Sequence, residues 1–202
     1  MRHSLSYRIG HAVGEALVIT VSIAVAAVAT ATCTSLLAGC CPAPSWPVEL
    51  HFDEEFTDEE VFAMVEAIVE WDLATGTHTA SVVLGHPHGL TLDDWSDFDK
   101  HVVHRLREDE SVAKIWRAEG SRFVGRQGGG SIAIAIDHIY SMEYLTHIMS
   151  HELGHLFGIC GHRPNTLMHG NSGDDLWCID SLVLEEVCDL QGTCVEPRST
   201  CE

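Results

Sequence analysis

The sequence predicts an α+β domain: several strands, a helix in its N-terminal half, a second helix carrying the candidate site, and a last helix near its C-terminus. Three observations predict it. An alternating stretch, a capping box with an apolar-spaced run, and another alternating stretch follow one another from Val48 to Leu84. Two more alternating stretches flank Gly128-Gly129-Gly130. An apolar-spaced helix with a glycine at its end then occupies Leu145 to Gly158.

Val48-Glu49-Leu50-His51-Phe52 alternates and reads as the first strand. Thr57-Asp58-Glu59-Glu60 is a capping box, in which the Thr57 hydroxyl and the Glu60 carboxylate satisfy N–H groups that a helix start leaves open. Val61, Met64, Val65, Ile68, Val69 and Trp71 mark the buried face of that helix, and Gly76 its stop. Thr79 to Leu84 reads as the second strand. Between Gly85 and Gly120 the pattern is weak: Val102 to Leu106 reads as helical and Val112 to Trp116 as a strand. Asp93, Asp94, Asp97 and Asp99 cluster around Trp95 and Phe98. They read as a solvated helix start, with Ca²⁺ as the alternative, because the glycine and fixed spacing of a calcium loop are missing. Ser121 to Arg126 and Ser131 to Ile136 read as a hairpin or two sheet strands. Asp180 to Leu190 carries Leu182, Val183, Val187 and Leu190 at helical spacing.

The chemistry concentrates between His147 and His169, HIMSHELGHLFGICGHRPNTLMH. Residues four apart on a helix share a face, so His151 and His155 can both reach one Zn²⁺ at about 2.0–2.1 Å. Glu152, one step on, stays near the metal and is placed to take a proton from a metal-activated water. Leu145, Ile148, Met149, Leu153, Leu156 and Phe157 give the helix a buried face, and Gly158 provides a left-handed stop. A third ligand is required for a catalytic zinc. His162 is the leading candidate, with His169 its main rival and Asp174, Asp175 and the more distant Glu185 behind. His147 extends the same face one turn earlier and reads as a rim or core-edge residue, since one helix face cannot bring three successive turns to one metal.

From His151 to Met168 the sequence resembles the metzincin metallopeptidases, most of all small bacterial matrixin-like members, whose signature is HExxHxxGxxH followed by a Met-turn. The resemblance implies a metzincin-like fold, with a twisted mixed sheet and a small C-terminal subdomain holding the Met-turn and a terminal helix, and zinc ligands at His151 and His155. It also implies a general base at Glu152, a turn glycine at Gly158, and a methionine beneath the zinc at Met168. The family's third histidine would fall at Gly161, so His162 is taken as that ligand after a one-residue bulge. The strand-helix-strand opening matches the family's element order, and one of the two strands around Gly128-Gly129-Gly130 would be the edge that receives substrate. Glu185-type ligation belongs to other HExxH peptidases, and Gly158 and Met168 argue against it. The resemblance covers roughly Gly128 to Leu190.

The start of the chain reads as a targeting segment. Arg2 and Arg8 precede an uncharged run from Ala16 to Ala38, longer than the roughly 7–15-residue core of a typical signal peptide. Leu37-Ala38-Gly39-Cys40 is similar to a bacterial lipobox, with cleavage before a lipidated Cys40; an uncleaved membrane anchor is the alternative. The expected layout is a lipoprotein signal peptide over 1–39, a tether over 40–47 with Pro42, Pro44 and Pro47, and a metallopeptidase domain over 48–202. Either way the chain is expected to be exported to the cell envelope and held on the membrane. Residues 1–39 carry Arg2, Arg8 and Glu15, a net +1, so of the chain's −19 the remainder holds −20. That balance argues against nucleic-acid binding, which needs a basic face.

Six cysteines follow Cys33 and Cys40: Cys41, Cys160, Cys178, Cys188, Cys194 and Cys201. Export favours disulfides. The expected bridges are Cys160–Cys178, clamping the zinc loop to the segment after the Met-turn, and Cys188 with Cys194 or Cys201. Cys41 as an inhibitory thiolate on the zinc does not match the family's cysteine switch. The functional expectation is a monomeric, lipid-anchored zinc endopeptidase acting on a peptide or protein. The alternative is a non-catalytic binding or adhesion lipoprotein on a degenerate peptidase scaffold.

Overall fold

The computed structural model describes residues 43–86, 101–107, 110, 124–128, 130–169 and 177–201. Their elements are β1 (Val48–Asp53), α1 (Asp58–Thr75), β2 (Ala80–His86), β3 (His101–Arg105), β4 (Gly125–Gly128), β5 (Ser131–Ile134), α2 (Met142–Leu156) and α3 (Ser181–Gln191). A short 3₁₀ turn, Ile136–His138, joins β5 to α2. The five strands form one sheet in the order β2-β1-β3-β5-β4. All neighbours are parallel except β4, which runs antiparallel to β5 at the edge.

The capping box at Thr57 forms as the sequence predicts, with Glu60 N donating to Thr57 Oγ1 at 3.3 Å and Thr57 N to Glu60 Oε2 at 2.8 Å. Gly76 ends α1 at φ 65°. Val69 does not join the buried face: it is exposed, and Ala63, Ala67 and Ala74 line the core beside Met64, Ile68 and Trp71. Small residues let α1 approach its neighbours closely. α3 differs in the same way, with Leu184 buried beside Val183 and Val187 while Leu182 and Leu190 are exposed.

The expected helix at Val102 to Leu106 is instead strand β3. It lies between β1 and β5, and Val102, Val103 and His104 are all buried. A central parallel strand is covered on both faces, so its sequence shows no alternation to distinguish it from a buried helix. The expected strand at Val112 to Trp116 and the acidic cluster from Asp93 to Asp99 lie outside the described residues, as does the start of the Ser121–Arg126 stretch. The glycine-separated pair resolves into the β4–β5 hairpin, with β4 as the edge strand.

Two hydrogen bonds fix the site helix α2 against α1. Trp71 Nε1 donates to the Ser150 carbonyl at 3.0 Å, and Thr146 Oγ1 to the Ala63 carbonyl at 2.9 Å. Phe157, just past the end of α2, is met edge-on by Trp71 at 5.3 Å and Trp46 at 5.1 Å. The core of Leu50, Phe52, Ile132, Ile134, Leu145, Met149, Leu153 and Met168 joins sheet, α2 and the C-terminal part in one cluster. Among the described residues no helix is long and apolar enough to cross a membrane.

The bridge Cys160–Cys178 does not form. Cys178 pairs with Cys201, and Cys188 with Cys194. Cys160 is also disulfide-bonded. The tail bends back onto the segment before α3, where Thr200 N donates to the Ile179 carbonyl at 3.0 Å and Thr200 Oγ1 accepts from Ile179 N at 2.8 Å. That return brings Cys201 to Cys178, a closure that cysteine spacing does not encode.

Candidate metal centre

α2 starts at Ser141, whose hydroxyl accepts from Tyr144 N at 3.1 Å, and runs through Leu156. His151 and His155 therefore sit one turn apart on one face. Gly158 turns the chain at φ 110° and Gly161 turns it again at φ 80°. Both values lie where a side chain is disfavoured. Between them the loop absorbs the extra residue and returns His162 to the helix. The ligand atoms of His151, His155 and His162 all lie within 4.8 Å of one another. His162 stands 5.3 Å from the His151 ring, nearly parallel to it, and 5.1 Å edge-on from that of His155.

The backbone orients two of these rings. His151 Nδ1 lies 2.8 Å from the Leu167 carbonyl, and His155 Nδ1 2.8 Å from the Ile159 carbonyl. Each Nδ1–H donates to its carbonyl, which leaves Nε2 as the lone-pair nitrogen of the neutral ring. His155 Nε2 is 3.4 Å from His162 Nε2. Two nitrogens on a tetrahedral zinc at about 2.0–2.1 Å would stand roughly 3.3 Å apart. Burial pushes the His151 imidazole down to about 3, aided by the neighbouring histidines and opposed by its bond to Leu167. Burial lowers His155 too, with His162 adding to the effect against the bond to Ile159. Neutral imidazoles are the form that ligates zinc. The donor set thus fits a zinc ion held by His151, His155 and His162, three protein ligands of a four-coordinate centre.

Glu152 is buried beside these histidines, beneath the edge strand. A Cβ built on Gly125 of β4 would lie 2.8 Å from Glu152 Oε1. Met168 is fully buried and lies against the helix backbone at Gly154. Its turn is held by Met168 N donating to Thr166 Oγ1 at 3.1 Å, His169 N to the Thr166 carbonyl at 3.1 Å, and Arg163 N to the Met168 carbonyl at 2.8 Å. Asn165 takes the left-handed conformation at φ 60°. Arg163 also pairs with Glu186 of α3, which pins the loop to the last helix.

The rivals for the third position fall elsewhere. His147 stacks on Trp177 at 5.2 Å, with the rings 8° from parallel. His169 is not among the histidines whose ligand atoms converge, and Glu185 is exposed on α3. Asp174, Asp175, Cys40 and Cys41 lie outside the described residues. Three contributors escape motif reading. Gly125 and Gly154 matter for the space they leave. Asp180 caps α3 through Leu182 N and Val183 N at 3.0 and 3.1 Å, and its other oxygen accepts from Leu167 N at 3.1 Å. A helix N-cap signal marks Asp180 in the sequence, but its reach to the Met-turn is a tertiary fact.

A five-stranded, mostly parallel sheet with an HExxH helix across it and a methionine turn beneath defines a metzincin-like fold. A crystal structure of archaemetzincin from Methanopyrus kandleri is similar to this chain with a TM-score of 0.50 and 16% identity, over 72% of this chain and 96% of that one. At that identity the likeness is one of fold. No family model matches the chain, and no curated protein matches it either.

Proposed function

We propose that this chain is a zinc-dependent endopeptidase, exported and anchored to the cell envelope by lipid on Cys40. The observation that carries the catalytic part is the convergence of three imidazoles next to a buried Glu152, on a metzincin-like fold. When bound, zinc supplies Lewis acidity that lowers the pKa of water to roughly 7 and polarises a peptide carbonyl. The Leu167 and Ile159 carbonyls hold His151 and His155 through Nδ1, so that Nε2 of each ring would hold the zinc. Glu152 takes the proton of the attacking water and delivers it to the departing amine, a role that needs a carboxylate close to the metal but not bound to it. The outer edge of β4 offers backbone groups to an extended peptide. The lipobox at Leu37-Ala38-Gly39-Cys40 supports the anchored location, and the acidic balance supports a partner other than nucleic acid.

The test is hydrolysis of a peptide library by purified protein, with zinc and after chelation. Zinc-restored cleavage in the parent, with retained zinc and activity reduced by a factor of about 10² or more in Glu152→Ala, is the expected result. Full activity in zinc-loaded Glu152→Ala removes the mechanism. A zinc-loaded parent that cleaves nothing favours a binding lipoprotein on this scaffold.

A further inference from the structure

We infer that Gly125 is a positioning residue for Glu152: its missing side chain leaves the space in which the carboxylate sits under the open strand edge. This rests on the reading of Glu152 as the base.

The pairing of β4 with β5 gives the first part. Gly125 faces Ile134 and Gln127 faces Ile132, and Ala135 N donates to the Val124 carbonyl at 2.8 Å. In an antiparallel pair, hydrogen-bonded and non-bonded positions alternate. Val124 is bonded to Ala135, the residue after β5, so Gly125 and Gln127 are at non-bonded positions, and their N–H and C=O groups point away from β5. β4 ends the sheet among the described residues. Gly125 therefore directs both backbone groups to the side of β4 away from β5, the open edge among the described residues.

The second part is the space beneath. A Cβ on Gly125 would lie 2.8 Å from Glu152 Oε1, 2.8 Å from Ile148 Cγ2 and 3.0 Å from Glu152 Cγ. Those atoms belong to α2, one turn apart. Gly125 is not among the glycines with positive φ, so space and not backbone conformation calls for glycine here. Ile148 is β-branched and stiff, whereas the Glu152 carboxylate ends a flexible side chain. A methyl group at position 125 would therefore displace the carboxylate first. The same residue sets the edge where an extended peptide would lie and keeps room for the group that would act on it.

The experiment introduces Gly125→Ala into the parent chain and into Glu152→Ala. Zinc content should be unchanged in every variant. In the parent, Gly125→Ala should lower kcat by about 10–100-fold with little change in KM. In Glu152→Ala it should cause no further loss, since the group it displaces is absent. The thermal midpoint of the metal-free protein should fall more in the parent than in the Glu152→Ala background. An unchanged kcat in an active parent, or an equal fall of the midpoint in both backgrounds, overturns the inference. If Gly125→Ala does not fold, Gly125→Ala/Ile148→Ala opens space beside the new methyl group and carries the same comparison. If the zinc-loaded parent cleaves nothing, the peptidase reading fails while the midpoint comparison still decides whether Gly125 holds the place of the carboxylate.

Discussion

A Cβ on Gly154 would lie 2.5 Å from the Sδ of Met168. The second variable position of the HExxH segment is thus where the helix backbone rests on the methionine of the turn. The thioether is soft and fills irregular space, but Met168 is fully buried and its backbone is held by Thr166 and Arg163.

Gly154→Ala should therefore destabilise the protein by about 1–3 kcal/mol through overpacking. This outweighs the roughly 0.8–1.0 kcal/mol that alanine normally gains over glycine in a helix. Zinc affinity should fall with stability, because displacing Met168 shifts the adjacent Leu167 carbonyl that orients His151. Urea unfolding and zinc titration check both; a stabilised variant would show that the turn yields without strain.

His162→Ala should weaken zinc binding far more than His169→Ala, since His162 Nε2 stands 3.4 Å from His155 Nε2. Competition with a chromogenic chelator measures it. A loss confined to His169→Ala would move the third ligand into the Met-turn.

Asp180→Ala should disturb two places at once. Loss of the cap should cost about 0.5–2 kcal/mol. Loss of the bond to Leu167 N should loosen the residue whose carbonyl, one peptide further on, holds His151 Nδ1, and lower zinc affinity by roughly 10–100-fold. Asp180→Asn has one acceptor oxygen for what Asp180 serves with two, so it should keep the cap or the bond to Leu167 N but not both, and fall between the parent and Asp180→Ala. Equal zinc binding in all three proteins would separate α3 from the site.

Local chemistry made much of this legible. The Thr57 box, the Gly76 stop and the helix around His151 each depend on neighbours within a turn, and the structure places α1 and α2 where those signals lie. Glycines at 158 and 161 likewise announce a loop able to turn twice. What sequence hides is relational. β3 is buried on both faces and loses its alternation, so it reads as helix. Cys201 meets Cys178 only because the tail folds back on Ile179. Gly125 and Gly154 act through atoms that they lack, and only the packed helix shows what would fill those spaces.

The metal-free protein should lose stability on acidification. His151 and His155 are held below the usual histidine value of about 6.5, mainly by burial. In this case the unfolded chain binds more protons than the folded one, so stability rises with pH. The contribution is complete above roughly pH 6.5 and is lost as pH falls toward the folded value, about 3 for His151. Zinc should resist the loss, because it competes with protons for the same nitrogens. Thermal midpoints between pH 7 and pH 4, with and without zinc, test this, and a flat metal-free profile would contradict it.

His104 should behave in the opposite sense. It is buried on β3, with Nδ1 3.0 Å from Asp53 Oδ2 and Nε2 3.0 Å from Glu110 Oε2. Burial alone would lower its pKa, but the hydrogen bonds and charges of Asp53 and Glu110 outweigh burial and raise it. Arg107 supports the same cluster through its backbone N–H, which donates to Glu110 Oε1 at 2.9 Å, and Arg105 N donates to Asp53 Oδ2 at 3.3 Å. The folded state thus binds a proton that the unfolded state releases near pH 6.5. The stabilisation is complete below that pH and declines as pH rises through the raised folded value. His104→Ala removes the cation from between two buried carboxylates, and breaking such a cluster costs roughly 3–5 kcal/mol. The difference between parent and variant should be largest near pH 6 and shrink toward pH 9. His151 and His155 are present in both proteins, so their opposite titration cancels in the comparison. Urea unfolding of the pair at both pH values decides it: a difference that does not change with pH would mean that His104 is neutral in the fold.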